Sequence, residues 1–292
     1  MAQIIDGKKT AEIMRAEFKI RIATLQAKGH VPGLAVVLVG EDPASDVYVR
    51  MKGKACEELG LVSRTLRLSK DAPESELLGI IDQLNSDPAI DGILVQHPIP
   101  NVKDENVVFN RIHPDKDVDC FNSRNVGRLV IGDGYLLPCT PAGVIELLKR
   151  YKIQTKGKHA VVVGRSNIVG KPVANLLVQK VDGGNATVTV VHTGTPDIAC
   201  FTKQADILVI AAGRPQAIRG EMIKEGAVVI DVGVNRIEDA SKKSGFRLVG
   251  DADFDSCAAK ASYITPVPGG VGPMTITMLL HNTILSAERR FA

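Results

Sequence analysis

Short apolar runs bounded by glycine, separated by segments of helical periodicity, recur along the whole chain and constrain its fold more than any other feature. GLAVVLVG (33–40) is the clearest of them. A strand that apolar must be buried on both faces, which is the condition of a parallel sheet covered by helices. DGILVQ (91–96), HAVVVG (159–164), ADILVIAAG (205–213) and AVVIDVG (227–233) repeat the pattern, with less hydrophobic strands at 62–68 and 186–191. Between them the spacing predicts helices over 6–28, where Ile13, Phe18, Ile22 and Leu25 share a face and Gly29 ends the run, and from about 44, with Asp42 as cap and Pro43 in the first turn. Further helices are expected at 74–86, 142–151, 171–180, after GDADF (250–254), and over the apolar 273–290 segment.

The fold class is therefore α/β, with two α/β domains and a substrate cleft between them. At 292 residues the chain can bury such cores unaided. A net charge of +3 with scattered basic residues argues against a nucleic-acid partner. No window approaches the run of apolar residues that a membrane span needs, and MAQIIDGKKTAEIMRAEF lacks the apolar core of a signal peptide. Five dispersed cysteines, with no C-x-x-C pair, read as reduced thiols, so a cytoplasmic protein is expected.

Strand, small-residue turn and helix in VVVGRSNIVGKPVANLL have the layout of a Rossmann first turn. Gly164 can turn the chain sharply, Ser166 takes the place of the second glycine, and Gly170 opens a helix whose N-terminus can bind an anion. The spacing is not G-x-G-x-x-G, so a tight turn without ligand stays open as the other reading. The second strand ends in Val191-His192-Thr193-Gly194-Thr195 without the carboxylate that normally holds an NAD ribose. Arg165 and Thr193 can instead donate to a 2′-phosphate, which favours NADP; the alternative for Arg165 is a solvated surface side chain. In the first domain Tyr48 and Lys52 lie one helical turn apart, a spacing also common on plain helix surfaces. Gln96 ends a buried strand at its carboxyl edge, and Asp117 and Asp119 lie in a loop that can hold a ligand or cap a turn. His97 and His113 lack partners at metal-ligand spacing, and Cys139 lacks the companions of a nucleophile, so no metal site is expected.

Eight stretches, in order, resemble the bifunctional methylenetetrahydrofolate dehydrogenase/cyclohydrolase family. They are Tyr48-x-x-x-Lys52, Val95-Gln96-x-Pro98, Lys116-Asp117-Val118-Asp119, Pro138-Cys139-Thr140-Pro141 and Gly164-Arg165-Ser166-x-x-Val169-Gly170-x-Pro172, then Asp231-Val232-Gly233, Gly250-Asp251-x-Asp253-Phe254 and TPVPGGVGPMT (265–275). The resemblance runs from about residue 4 to 285. It implies a folate-binding domain over 1–140, completed by a C-terminal helix at 275–292 that returns to it, and a Rossmann-type NADP-binding domain over 141–274. It further implies that Lys52 is the catalytic lysine, positioned by Gln96, that Tyr48 lines the aminobenzoyl ring, and that Asp119 holds the pterin. Pro268 and Gly270 would border the folate; Gly164, Arg165, Ser166, Thr193 and Val234 would form the NADP site; and two copies would pair through the nucleotide domain. The expected chemistry is oxidation of 5,10-methylenetetrahydrofolate followed by hydrolysis of the methenyl product. A dehydrogenase without hydrolysis, or a dinucleotide-binding regulator without chemistry, are the alternatives. Three positions depart from the family pattern: Cys120 where Gly is usual, His97 where an aliphatic residue is usual, and Thr193 where Ser is usual.

Overall fold

Each glycine-bounded apolar run forms a parallel strand. The computed structural model describes residues 2–242 and 245–291. In chain order its first elements are β1 (Gln3–Ile4), α1 (Gly7–Ala27), β2 (Gly33–Val39), α2 (Pro43–Leu59), β3 (Val62–Leu68), α3 (Glu74–Ser86) and β4 (Gly92–Val95). α4 (Glu105–Arg111), α5 (Ser123–Ile131) and α6 (Cys139–Arg150) follow, then β5 (His159–Val163), α7 (Gly170–Val178), β6 (Thr187–Val191), α8 (Ile198–Thr202) and β7 (Ile207–Ile210). The chain closes with β8 (Val228–Asp231), β9 (Asn235–Glu238), β10 (Phe246–Val249), α9 (Phe254–Ala258), β11 (Tyr263–Ile264) and α10 (Val271–Arg290).

Two compact units result. One holds Ile13–Cys139 and the residues from Ile276 onward. Its sheet is parallel, in the order β3-β2-β4, and β2 is buried at every residue because strands flank it on both sides. β3, on the edge, is exposed or half-buried at every residue but Leu68, which accounts for its polar VSRTLRL sequence. α3 lays Leu77, Ile81 and Leu84 against the core that Val37, Ile93 and Val95 share. α4 and α5 lie outside the sequence expectations, being short. Each has a side-chain cap: Asp104 accepts from Asn106 N at 3.0 Å, and Asn122 accepts from Arg124 N at 2.9 Å.

Within this unit α10 supplies the polar partners of the loop that follows α4. Asn282 Nδ2 donates to Val118 O and Leu137 O, both at 2.8 Å, and Ser286 Oγ donates to Asp115 O at 2.6 Å. Arg290 donates to Asp91 Oδ1 at 2.7 Å, and the other oxygen of this buried carboxylate accepts from Gly33 N at 2.9 Å. The C-terminal helix thus holds the loop that carries Asp117 and Asp119.

The second unit holds the residues up to Glu12 and Thr140–Thr275. Its six strands are all parallel, in the order β1-β11-β8-β7-β5-β6. The first residues group here because Gln3 and Ile4 pair with Tyr263 and Ile264. β5 is flanked by β6 on one side and β7 on the other, so the connections after β5 and β6 diverge at a topological switch point. Val161, Val163, Leu208, Ile210 and Val229 fill one face. The β9–β10 hairpin is antiparallel and mixes exposed with half-buried positions, too weak a pattern to read in advance. Asp253 opens α9 as expected, accepting from Ser256 N at 3.0 Å, though the helix spans only 5 residues. Among the described residues no helix is long and apolar enough to cross a membrane.

Asn282→Ala should leave the Leu137 carbonyl unpaired and Val118 O with only the weak Cys139 thiol donor, costing about 2 kcal/mol. A lower urea midpoint at unchanged slope would show it; a midpoint equal to the parent's would refute the role assigned to this side chain.

Candidate active site and dinucleotide turn

Asp42 Oδ2 accepts from Ser45 N at 2.8 Å and starts α2 directly after the buried strand β2, with Pro in its first turn. One face of that helix turns Lys52 inward, leaving it 8% exposed, while Tyr48, one turn earlier, is 40% exposed. Lys52 Nζ donates to Gln96 Oε1 at 2.9 Å. Gln96 is held by its own backbone, whose N–H donates to Val37 O at 2.8 Å, and its Nε2 donates to His97 O at 2.9 Å. That second bond fixes the amide so that its oxygen faces the lysine. Burial lowers the Lys52 pKa from the usual lysine range, opposed by Asp119 and Cys139. The amine is thereby biased toward its neutral, basic form.

The two loop aspartates have different fates. Asp117 is fully buried and accepts from Phe121 N at 3.2 Å, Asn122 N at 2.9 Å and Asn125 Nδ2 at 2.9 Å, so it builds the turn into α5. Burial raises its pKa to about 6 against those donors. Asp119 is half-buried and close enough to Lys52 for each to act on the other's charge. Burial raises its pKa, opposed first by the Lys52 charge and then by the neighbouring Cys139 thiol. Cys139, weighed from sequence only as a nucleophile, is a buried thiol whose Sγ donates to Val118 O at 3.3 Å beside the Asp119 carboxylate. Burial and that carboxylate push its pKa up, which keeps it protonated and unreactive. The one sequence signal of this role is its place in the Pro138-Cys139-Thr140-Pro141 stretch.

The departures from the family pattern also find physical places. Cys120 adopts φ 61°, a left-handed conformation that glycine takes without strain, and its side chain is buried. His97 is exposed, with Nδ1 2.8 Å from Glu105 Oε2, and the other oxygen of Glu105 accepts from Ile99 N at 2.9 Å.

In the other unit, the turn after β5 is cornered by two glycines that nothing larger can replace. Gly164 has φ 124°, and a Cβ there would lie 2.2 Å from Ala211 O; a Cβ on Gly170 would lie 2.3 Å from Gly164 O. Ser166 Oγ accepts from Val169 N and Gly170 N, both at 3.2 Å, so it closes the loop onto the start of α7. Arg165 is exposed and has no ion-pair partner among the described residues. The turn after β6, 192–195, holds no carboxylate; Thr193 is exposed there, in a turn tied by His192 N to Thr195 Oγ1 at 3.0 Å and by Gly194 N to His192 Nδ1 at 3.0 Å. Val234, after β8, is 46% exposed. The 265–270 loop contains a cis Val267–Pro268 peptide, with Pro268 exposed. Gly270 is buried: a Cβ there would lie 2.5 Å from Pro266 O, and one on Gly7 would lie 1.8 Å from Gly270 O. Among the described residues no cluster of His, Cys, Asp and Glu could hold a metal ion.

A glycine-cornered turn at a switch point suits a dinucleotide, and a desolvated lysine beside a carboxylate suits acid–base chemistry, which together define a dinucleotide-dependent enzyme. Residues 5–119 match the family model of the tetrahydrofolate dehydrogenase/cyclohydrolase catalytic domain, and residues 138–291 that of its NAD(P)-binding domain. The chain belongs to the tetrahydrofolate dehydrogenase/cyclohydrolase family. It is 59% identical over 290 residues to a bifunctional protein FolD of Chlorobium phaeobacteroides, covering 98% of each chain. The structure of FolD from Campylobacter jejuni superposes with a TM-score of 0.93 at 46% identity, over 99% of this chain and 100% of that one. FolD of Trypanosoma brucei, solved with NADP cofactor and an inhibitor, gives a TM-score of 0.94 at 42% identity, over 99% of this chain and 98% of that one.

Gly164→Ala should cost about 2 kcal/mol or more and abolish dinucleotide binding, because both its backbone angle and its Cβ are disallowed. Thermal unfolding and a titration with reduced dinucleotide would register it; parental binding would show that the turn does not seat the ligand.

Proposed function

We propose that this chain oxidises 5,10-methylenetetrahydrofolate to 5,10-methenyltetrahydrofolate with NADP and hydrolyses the product to 10-formyltetrahydrofolate. The observation that carries the reading is the buried Lys52 amine, 2.9 Å from Gln96 Oε1 and facing Asp119, within the part matched to the family's catalytic domain. NADP, when bound, accepts a hydride from the folate methylene carbon. Lys52, in its neutral form, takes a proton from the water that attacks the methenyl carbon. Gln96 Oε1 accepts a hydrogen bond from the amine and so fixes its direction. Asp119 holds the pterin ring through its N–H groups, and Tyr48, exposed one turn before Lys52, lies along the aminobenzoyl ring. Pro268 and Gly270 border the folate.

NADP is favoured over NAD by the exposed Arg165 guanidinium and the Thr193 hydroxyl, with no carboxylate at the end of β6 to repel a 2′-phosphate. Gly164 and Ser166 bring the N-terminus of α7 to the pyrophosphate, and Val234 packs on the nicotinamide half. The cofactor reported with the Trypanosoma brucei relative supports the same choice. A cytoplasmic homodimer paired through the nucleotide domain completes the reading, supported by five cysteines that are all free.

Lys52→Met should slow methenyl hydrolysis at least about 100-fold, the scale of a lost general base, while NADP still binds. In the parent the hydrolysis rate should rise with pH as Lys52 loses its proton and level off below pH 10.5, because the lysine's pKa is lowered. Hydrolysis at the parental rate in the variant would sink the assignment. Arg165→Ala should raise the KM for NADP about 10-fold and leave that for NAD unchanged, the size of one charge-assisted hydrogen bond. Equal effects on the two cofactors would remove Arg165 from the 2′-phosphate site.

A further inference from the structure

Two stretches of the family pattern, Asp231-Val232-Gly233 and Gly250-Asp251, take no part in the function proposed above, yet in the structure they interlock. Asp231 is buried and accepts from the backbone N–H groups of Gly233 at 2.9 Å, Asp251 at 3.0 Å and Ala252 at 2.8 Å. Asp251, equally buried, accepts from Ala212 N at 2.7 Å, Gly213 N at 2.8 Å and Asn235 Nδ2 at 2.8 Å. Each carboxylate lies over the glycine of the other stretch. A Cβ on Gly233 would stand 2.2 Å from Asp251 Cγ, and one on Gly250 would stand 1.9 Å from Asp231 Oδ2. Two neighbouring carboxylates out of water are a costly way to fill space, and apolar side chains would do so more cheaply. What they achieve is the placement of loops.

Those loops lie at the carboxyl ends of β7 and β8, the edge at which a parallel sheet receives its ligand. Ala212 and Gly213 follow Ala211, whose carbonyl lies against the Gly164 corner. Gly233 and Asn235 flank Val234, one tied to Asp231 through its N–H and the other to Asp251 through its amide. We propose that Asp231 and Asp251 are positioning residues for the dinucleotide, a carboxylate clasp that fixes the loops after β7 and β8 and presents Val234 to the nicotinamide half. They act through the loops and touch no ligand themselves. The clasp rests on the NADP reading given above.

Asp251→Asn keeps the shape but puts an NH2 group where an acceptor stood, opposite either Asn235 Nδ2 or the two backbone donors. The KM for NADP should rise about 10-fold, with kcat for oxidation falling less than that. Methenyl hydrolysis, which depends on Lys52, should stay within about twofold, since no hydrogen bond of the clasp reaches that residue. Adding Asn235→Asp exchanges donor and acceptor across the pair and should restore most of the NADP affinity. Folate-dependent NADP reduction by the unmutated chain is measured first; its absence would overturn the proposed function and the clasp with it. With that activity present, parental NADP affinity in Asp251→Asn, or no recovery in the double variant, would overturn the clasp alone. Should Asp251→Asn fail to fold, Asn235→Ala removes a single donor and is expected to weaken NADP binding about threefold. Parental binding in that variant would overturn the proposal.

Discussion

A parallel strand buried on both faces has no side chain to offer a ligand, and from that constraint the rest of this structure follows. β2, β4, β5, β7 and β8 are closed to solvent along almost their whole length. Chemistry is therefore pushed to the segments that leave their carboxyl ends. Gln96 stands one residue past β4, and the helix that carries Lys52 starts a few residues past β2. The Gly164 turn, the Thr193 turn and Val234 leave β5, β6 and β8 in the same sense.

At the lysine, two electrostatic effects compete. Removing the ammonium from water lowers its pKa, and a nearby carboxylate raises it; here burial is the larger and the shift is downward. The carboxylate feels the converse, with burial raising it more than the lysine lowers it. Both groups are thus displaced toward their neutral forms, the state in which a lysine can accept a proton and an aspartate can exchange one with a ring nitrogen. The Cys139 thiol beside the aspartate works against this tendency, and Gln96 leaves the lysine its direction without adding charge.

Much of this was legible beforehand, and what was missed has physical reasons. Apolar runs buried on both faces placed β2 and β4 within a residue or two, and helical periodicity, with the Asp42 cap for α2, placed the start of α2 and the span of α3. α4, α5 and the β9–β10 hairpin were missed because short, half-exposed elements carry little periodicity; their boundaries are set by tertiary partners such as Asn122. Lys52 and Gln96 were singled out separately, but their 2.9 Å contact joins residues 44 positions apart, which no local pattern encodes. Asp117 and Asp119 looked alike in sequence. Only the three donors that converge on Asp117 distinguish the turn-builder from the residue facing the lysine.

The glycines teach the same lesson from the other side. Gly164 gives way to Ala211 O, Gly170 to Gly164 O, Gly233 and Gly250 to two aspartates, and Gly7 to Gly270 O. In every case the missing side chain makes room for another part of the protein. A glycine-rich stretch in this chain therefore reports how closely its own backbone segments approach, and it fixes where the loops stand. The side chains that these loops leave exposed include Arg165, Thr193 and Val234, the ones assigned above to the proposed dinucleotide site. This division explains how an irregular glycine spacing and a serine in place of the second glycine are compatible with a dinucleotide turn. Ser166 performs locally, by accepting from Val169 and Gly170, the closure that holds the start of α7 in place.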